Sequence, residues 1–133
     1  MRRSDRPDLV ISTKHSPWTV EETVSRLEDV IAAKGLKLFT VIDHSGEAEA
    51  HGLELRETKV VVFGSPLAGT PVMQARPLAA LDLPLKVLVW DDNGQTKLSY
   101  VPPAELAARY DLDGELAARL AGIDAVTDAA IAL

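Results

Sequence analysis

The residues best suited to contact a ligand lie between Gly64 and Gln74, where the chain reads Gly-Ser-Pro-Leu-Ala-Gly-Thr-Pro-Val-Met-Gln. This segment follows an apolar run typical of a buried strand, and we predict that Thr70 caps a short helix beginning at Pro71. A strand, a glycine loop and a helix start direct backbone N–H groups toward one point, which suits an anion or a small ligand. The alternative is an ordinary turn in which glycine supplies the backbone angles and proline ends the strand.

This segment does not match two known catalytic motifs that its glycines and serine suggest. The spacing of Gly64 and Gly69 is similar to that of a phosphate-binding loop, but Thr70 and Pro71 stand where Lys and Ser or Thr are needed. A nucleotide-hydrolysing loop is therefore excluded. Ser65 lies at a sharp turn after a strand, but it lacks the glycines that stand two residues before and after the serine in a hydrolase nucleophile elbow.

Eight residues form the predicted set of ligand contacts. Met73 and Tyr100 are residue types that normally fill cores, Met as a gap filler and Tyr with one partner for its hydroxyl. They would contact a ligand only if a pocket lies beneath residues 66–83. The full set is Gly64, Ser65, Pro66, Gly69, Thr70, Met73, Gln74 and Tyr100.

A histidine after the second predicted strand is the candidate for acid–base chemistry. His44 lies beside Asp43, and imidazole can act as an acid, a base or a ligand near neutral pH. The alternative, which we favour, is a histidine that caps a turn by hydrogen bonding. If the second and third strands pair antiparallel, His44 and Gly64 lie at opposite edges of the sheet, whereas a parallel arrangement would bring them together. The three histidines show no ligand-like pairing and cysteine is absent, so we predict no metal and no cofactor.

Length and composition limit the possible function classes. The chain has 133 residues and a mass of 14.3 kDa, which fits a single domain. Its 14 basic and 20 acidic residues leave a net charge of −6, and because such a surface repels phosphate backbones we expect no nucleic-acid binding. No run of 18 apolar residues predicts a membrane helix, and residues 1–10 lack the apolar stretch of a signal peptide, so we expect a cytoplasmic protein.

Local patterns predict the elements that position these residues. Thr19 and Glu22 match a capping box that opens a helix, and Gly35 supplies its left-handed end. Asn93 and Gly94 form a strong hairpin signal between the fourth and fifth strands. The predicted strands cover residues 9–13, 36–42, 59–63, 84–91 and 96–101, and the helices cover residues 20–34, 103–110, 114–120 and 124–133, with a helical turn at 47–51.

The predicted order is β-α-β-β-β-β-α, an α+β fold with one mainly antiparallel five-stranded sheet and its helices on one face. Along the second strand, alternation is expected to place Leu36, Leu38, Thr40 and Ile42 on one face. The two central strands are apolar on both faces, so the face opposite the helices needs a cover. Residues 66–83, predicted as a long linker, or a second copy of the chain would supply it, and we predict a homodimer.

Three stretches of the chain are similar to a known family: residues 41–44 with 48–55, residues 61–74, and residues 79–87 followed by 99–100 in the return strand. Over roughly residues 9–110 the chain resembles the DUF302 family, a group of small bacterial and archaeal proteins without assigned function. The resemblance implies a TBP-like β-α-β4-α fold and implies no reaction. We expect one domain over residues 1–133, with residues 1–8 as a flexible arm and residues 111–133 as a helical tail outside the resemblance.

These observations favour a domain that binds a small molecule, an anion or a protein partner beside residues 64–74 and that is not an enzyme. Two alternatives stay open: an enzyme that uses His44 as acid or base, and a purely structural subunit that dimerises. The binding role predicts a cavity beside residues 64–74, whereas the enzyme predicts His44 in a cleft within hydrogen-bond reach of an Asp, Glu, Ser or Tyr side chain.

Overall fold

Five antiparallel strands form a single sheet in the computed structural model, which describes residues 10–133. The strand order is β1-β5-β4-β3-β2, so β1 and β2 are the edge strands. The strands are β1 Ser12–Ser16, β2 Lys37–Asp43, β3 Thr58–Gly64, β4 Leu85–Asp92 and β5 Gln95–Tyr100. The helices are α1 Val20–Ala33, α2 His44–Ala50, α3 Pro66–Ala75, α4 Pro103–Arg109, α5 Gly114–Ala118 and α6 Gly122–Ile131, with a 3-10 helix at Pro77–Asp82. The predicted α+β class and antiparallel five-stranded sheet are confirmed.

Helices α1 and α6 bury their apolar sides against one face of the sheet. In α1, the backbone N–H of Glu22 donates to Thr19 Oγ1 at 3.0 Å, and Glu22 Oε1 accepts from the Thr19 N–H at 3.1 Å, which confirms the predicted capping box. The helix ends before Gly35, whose φ of 69° is the left-handed conformation that glycine adopts without strain. The main core comprises Val20, Val24, Leu27, Ile31, Val61, Phe63, Val87, Val89, Leu98, Tyr100, Ile123, Val126 and Ala130.

Strands β4 and β5 are joined by the predicted tight hairpin. Asp92 pairs with Gln95, and both intervening residues have positive φ, 53° at Asn93 and 93° at Gly94. Two left-handed residues in a two-residue loop match the right-handed twist of the flanking strands. This local signal is consistent with the observed register between β4 and β5.

Two strand predictions differ from the structure. Strand β1 begins at Ser12 rather than at residue 9, because its pairing with β5 starts at Ser12 opposite Tyr100; residue 9 lies outside the described residues. In β2 a register shift between Leu38 and Thr40 reverses the expected alternation. Leu38 and Val41 pack against the main core, whereas Thr40 and Ile42 lie on the other face, so the prediction that Leu36, Leu38, Thr40 and Ile42 share one face was wrong.

Residues 66–83 are not a linker but two helical elements, α3 and the 3-10 helix. They pack with α4 and α5 into a second apolar cluster, which is joined to the main core through the half-buried Leu85. The buried members of this second cluster are Val72, Ala79, Leu106 and Leu120. The segment therefore packs against α4 and α5.

The sheet face opposite α1 and α6 has an apolar centre. Its cross-strand neighbours include Ile42 opposite Val60, Val60 opposite Leu88, and Thr58 opposite Trp90. These side chains belong to neither of the two buried apolar clusters in the described part of the chain. We call this surface the open sheet face. Within residues 10–133, no helix has both the length and the apolar character needed to cross a membrane.

Candidate functional site

A cavity of about 350 Å³ lies where the C-terminal end of β3 runs into α3. One wall is formed by Gly64 and the first turns of α3, and a second by Leu83, Pro84 and Leu85 at the start of β4. Phe39 from the edge strand β2 and the α5–α6 junction complete the lining. The cavity therefore draws on four separate stretches of the chain, and its walls are almost entirely apolar.

Helix α3 starts earlier than predicted because Ser65, not Thr70, caps it. The Ser65 hydroxyl accepts from the Ala68 N–H at 3.3 Å, and Pro66 occupies the first helical position, where its missing N–H costs nothing. Thr70 and Pro71 lie inside the helix, so the prediction that they form its start was wrong. Ser-Pro and Thr-Pro carry the same local signal five residues apart, and the structure uses the first.

The glycines of this segment are not required for their backbone angles. Neither Gly64 nor Gly69 has a positive φ, so the alternative of a turn that needs glycine is also wrong. A Cβ at Gly69 would lie 3.9 Å from Met73 Cε, and a Cβ at Gly64 would lie 3.5 Å from Pro84 Cβ. Both distances are ordinary van der Waals contacts. What the missing side chains contribute here is open space along the cavity wall.

The structure brings together six of the eight predicted contact residues. Gln74 is exposed on α3 and does not line the cavity. Tyr100 is buried in the main core, and its hydroxyl donates to Asp124 Oδ1 at 2.5 Å. It is therefore a core residue with one hydroxyl partner, which was the alternative to a role in ligand contact. The six that line the cavity are Gly64, Ser65, Pro66, Gly69, Thr70 and Met73.

Several lining residues were missed because they lie far away in sequence. Leu36 and Phe39 come from the β2 region, and Arg119, Leu120 and Gly122 come from the C-terminal helices. None carries a recognisable local motif; Arg119 with Glu115 has the spacing of an ordinary helix-surface ion pair. Phe39 was the easiest to miss, because it lies at the register shift that re-aims the β2 side chains.

One charged side chain of residues 10–133, that of Arg119, lines the cavity. The Nη2 atom of Arg119 lies 3.8 Å from Glu115 Oε1, a distance too long for a hydrogen bond. Among the described residues that line the cavity there is no Asp or Glu, and the hydroxyls of Ser65 and Thr70 are the remaining polar side-chain groups. The local electrostatics thus favour a neutral or negatively charged guest, in contrast to the net charge of −6 of the whole chain.

A polar cluster ties the 3-10 helix, and with it the second wall, to α4. Tyr110 Oη donates a hydrogen bond to Asp82 Oδ2, and Arg109 Nη1 donates to the same oxygen at 2.9 Å. The Tyr110 hydrogen bond is the main cause that lowers the pKa of the Asp82 carboxyl, and Arg109 adds to it. The same contact raises the pKa of the Tyr110 hydroxyl. The cluster favours the ionised carboxylate and so holds this wall in place near neutral pH.

His44 is placed far from the cavity. It is the exposed first residue of α2, and Asp43 rather than His44 caps that helix, its carboxylate accepting from the Gly46 N–H at 2.9 Å. Because β2 and β3 are antiparallel, Lys37 is opposite Gly64 at one end and Asp43 is opposite Lys59 at the other. Within residues 10–133 the His44 side chain makes no hydrogen bond with an Asp, Glu, Ser or Tyr side chain, which is the contact that the enzyme alternative predicts.

No group of three or more His, Cys, Asp or Glu side chains within residues 10–133 has the arrangement of a metal site.

The family model described as "Domain of unknown function DUF302" matches residues 12–130. The match extends beyond residue 110, where the resemblance was expected to end, and takes in α5 and α6 up to residue 130. This agrees with the packing, since Ile123, Val126 and Ala130 of α6 are buried in the main core.

Curated relatives and a solved structure also match the chain. Proteins named fluoride-specific ion channel FluC 1 in Brucella suis and Brucella abortus, and FluC 2 in Brucella melitensis, are 35% identical over 125 residues. The alignment covers 90% of this chain and 46–49% of theirs, so the chain spans about half the length of these relatives. A crystal structure of an uncharacterised DUF302 protein from Bacillus stearothermophilus superposes with a TM-score of 0.78, covering 93% of this chain and 97% of the other at 22% identity. That likeness establishes the fold.

Proposed function

The chain belongs to the DUF302 family, and from this premise and the geometry of the cavity we propose that the protein binds a small, largely apolar molecule beside residues 64–73. The observation that carries the proposal is the cavity itself. Its volume of about 350 Å³ lies within the range of known ligand pockets, which are concave, mostly apolar and fitted with a few polar groups.

The cavity size limits the guest. A water molecule occupies about 30 Å³ in the liquid, so 350 Å³ corresponds to roughly a dozen non-hydrogen atoms. A guest of this size gains free energy mainly by removing its apolar surface and that of Phe39, Met73 and Leu83 from water. A bare fluoride ion does not fit this cavity, because an ion of that size would leave most of the apolar walls without contact.

A cavity-filling variant tests the proposal. Gly69→Leu adds four carbon atoms on the wall formed by α3, where a Cβ meets no clash. We expect wild type to bind 1-octanol by isothermal titration calorimetry and Gly69→Leu to lose about tenfold or more in affinity, which corresponds to roughly 1.4 kcal/mol. Gly114→Leu is the matched control, since Gly114 is a helical glycine with open space around it and does not line the cavity.

Gly114→Leu should bind 1-octanol as wild type does. No measurable 1-octanol binding by wild type, or equal affinities of wild type and Gly69→Leu, would contradict the proposal and favour a purely structural subunit.

The Brucella relatives support a second candidate function. About half of each of those proteins aligns with 90% of this chain, and each is named as a fluoride-specific ion channel. We propose that this chain acts with a fluoride channel as a ligand-sensing accessory domain, in which the cavity holds the signal molecule rather than the transported ion.

The test reconstitutes the part of the Brucella suis protein outside the alignment in vesicles and measures fluoride efflux with and without this chain. A changed efflux rate is expected. Unchanged efflux together with no binding of the chain to the vesicles would end the second candidate.

A homodimer through the open sheet face is the assembly that we propose. Residues 66–83 pack with α4 and α5, which leaves a second copy as the remaining candidate of the two considered from the sequence. Ile42 is 38% exposed on this face, and a self-complementary contact would bury it with Leu88. Light scattering should give about 29 kDa, twice the 14.3 kDa chain mass.

Charge substitutions test whether the open sheet face, rather than another part of the surface, forms the dimer contact. Leu88→Glu should return the mass to that of the monomer, while Leu67→Glu, at an exposed position on α3, should leave the dimer intact. A monomeric wild type at micromolar concentration would refute the assembly.

A further inference from the structure

The guanidinium of Arg119 is available to a molecule in the cavity. Its side chain is 36% exposed, and its nearest acidic partner is Glu115 at 3.8 Å, itself largely in solvent. A guanidinium carries five N–H donors in a rigid plane. Within residues 10–133 none of them makes a hydrogen bond with a side chain or a backbone oxygen, so the group has full capacity for a ligand.

The rest of the lining gives that charge no counterpart. Within the described part of the chain no carboxylate lines the cavity, and Ser65, one of the two hydroxyl residues in the lining, already uses its oxygen to cap α3. A guest with a positive charge would meet Arg119 as a like charge. A guest with several negative charges would bring uncompensated charge against apolar walls, which is costly. One negative charge is what the lining can neutralise.

Resting on the proposed function, we propose that the ligand is an apolar monocarboxylate whose head group pairs with Arg119 and whose body fills the cavity. A carboxylate presents two coplanar oxygens, which match the parallel N–H pairs of a guanidinium. The apolar part lies against Phe39, Met73 and Leu83. With space for roughly a dozen non-hydrogen atoms, carboxylates of about eight to ten carbons fit, whereas acetate leaves the cavity mostly empty.

The position of Arg119 makes it a specificity-determining residue rather than a source of affinity for every guest. It lies between α5 and α6, on a different lining element from Gly69 of α3. Removing its charge should therefore weaken the binding of anions and leave the binding of neutral apolar molecules unchanged. Filling the space at Gly69 should weaken both.

The experiment compares three eight-carbon probes, octanoate, 1-octanol and octylammonium, by calorimetry at pH 7 with the full chain. Octanoate should bind wild type most tightly and octylammonium most weakly. Arg119→Gln should lower the affinity for octanoate about tenfold, since a hydrogen-bonded charge pair in a partly exposed setting lies at the low end of its range. It should leave 1-octanol unchanged.

Arg56→Gln is the matched control, because it removes the same charge from an exposed arginine that does not line the cavity. An equal loss of octanoate affinity in Arg56→Gln and Arg119→Gln would reduce the effect to general electrostatics and overturn the assignment. Equal binding of octanoate and 1-octanol, unaffected by Arg119→Gln, would overturn it while leaving the apolar cavity as a binding site. Absence of binding by every probe would overturn the proposed function and this inference together.

Discussion

Replacing Gly69 by alanine should stabilise the protein, although the sequence suggests a glycine kept for a loop. Gly69 is the fourth residue of α3, its φ is not positive, and an added Cβ meets only Met73 Cε at 3.9 Å. A glycine inside a helix costs about 0.8–1.0 kcal/mol relative to alanine. Because the new methyl faces a cavity rather than a packed core, we add little for its burial and expect a gain of about 1 kcal/mol.

Thermal denaturation followed by circular dichroism measures this gain. For a chain of 133 residues, 1 kcal/mol corresponds to a rise in Tm of about 3–5 °C. Gly35→Ala is the matched control, since Gly35 has a φ of 69° and open space around it, so the same methyl is strained there and should cost about 1–2 kcal/mol. If Gly69→Ala lowered Tm as much as Gly35→Ala does, Gly69 would not be helical and the α3 wall of the cavity would be wrong.

Three further predictions test the cap of α3, the contact between Asp82 and Tyr110, and the placement of Tyr100 outside the cavity. Ser65→Ala should lower the free energy of unfolding, measured by urea denaturation, by about 1 kcal/mol, because it removes the cap of α3. Thr70→Ala should change it by less than about 0.5 kcal/mol. A larger loss in Thr70→Ala than in Ser65→Ala would indicate that Thr70 is the cap. Because the folded-state pKa of Asp82 lies below its ordinary value of 3.8, its contribution to stability is present above that pH and is lost as the pH falls through the lowered pKa. Asp82→Asn should therefore flatten the loss of unfolding free energy below pH 4 compared with wild type, and an unchanged acid profile would contradict the cluster with Tyr110. Tyr100→Phe, which removes the hydrogen bond to Asp124, should cost about 1 kcal/mol but leave 1-octanol affinity unchanged, and weakened binding would return Tyr100 to the site.

The elements that were predicted well depend on contacts between near neighbours in the chain. The capping box of Thr19 and Glu22 and the two-residue hairpin at Asn93 and Gly94 are complete within a few residues, so their residue types are enough to identify them. The apolar runs of β3 and β4 likewise marked central strands. From these features the antiparallel α+β sheet followed.

The start of α3 shows where such local signals become ambiguous. Ser65-Pro66 and Thr70-Pro71 are equally good helix starts, and nothing nearby distinguishes them. The structure distinguishes them by tertiary packing, since Val72 of α3 is buried with Leu106 and Leu120, which lie far along the chain. The register shift in β2 has the same character, since it is visible only in the pairing with β3.

The sequence by itself determined the class of fold, the order of the strands along the chain, the net negative charge and the segment around residues 64–74 as the place to look for a ligand. Only the tertiary structure decided that a cavity lies there, that Arg119 is its charged residue, and that His44 and Tyr100 lie elsewhere. The reason is physical: a cap or a turn is made by atoms a few bonds apart, whereas a cavity is the volume that remains where distant elements do not meet. Its walls here, from Leu36 to Gly122, are set by packing that no local pattern encodes.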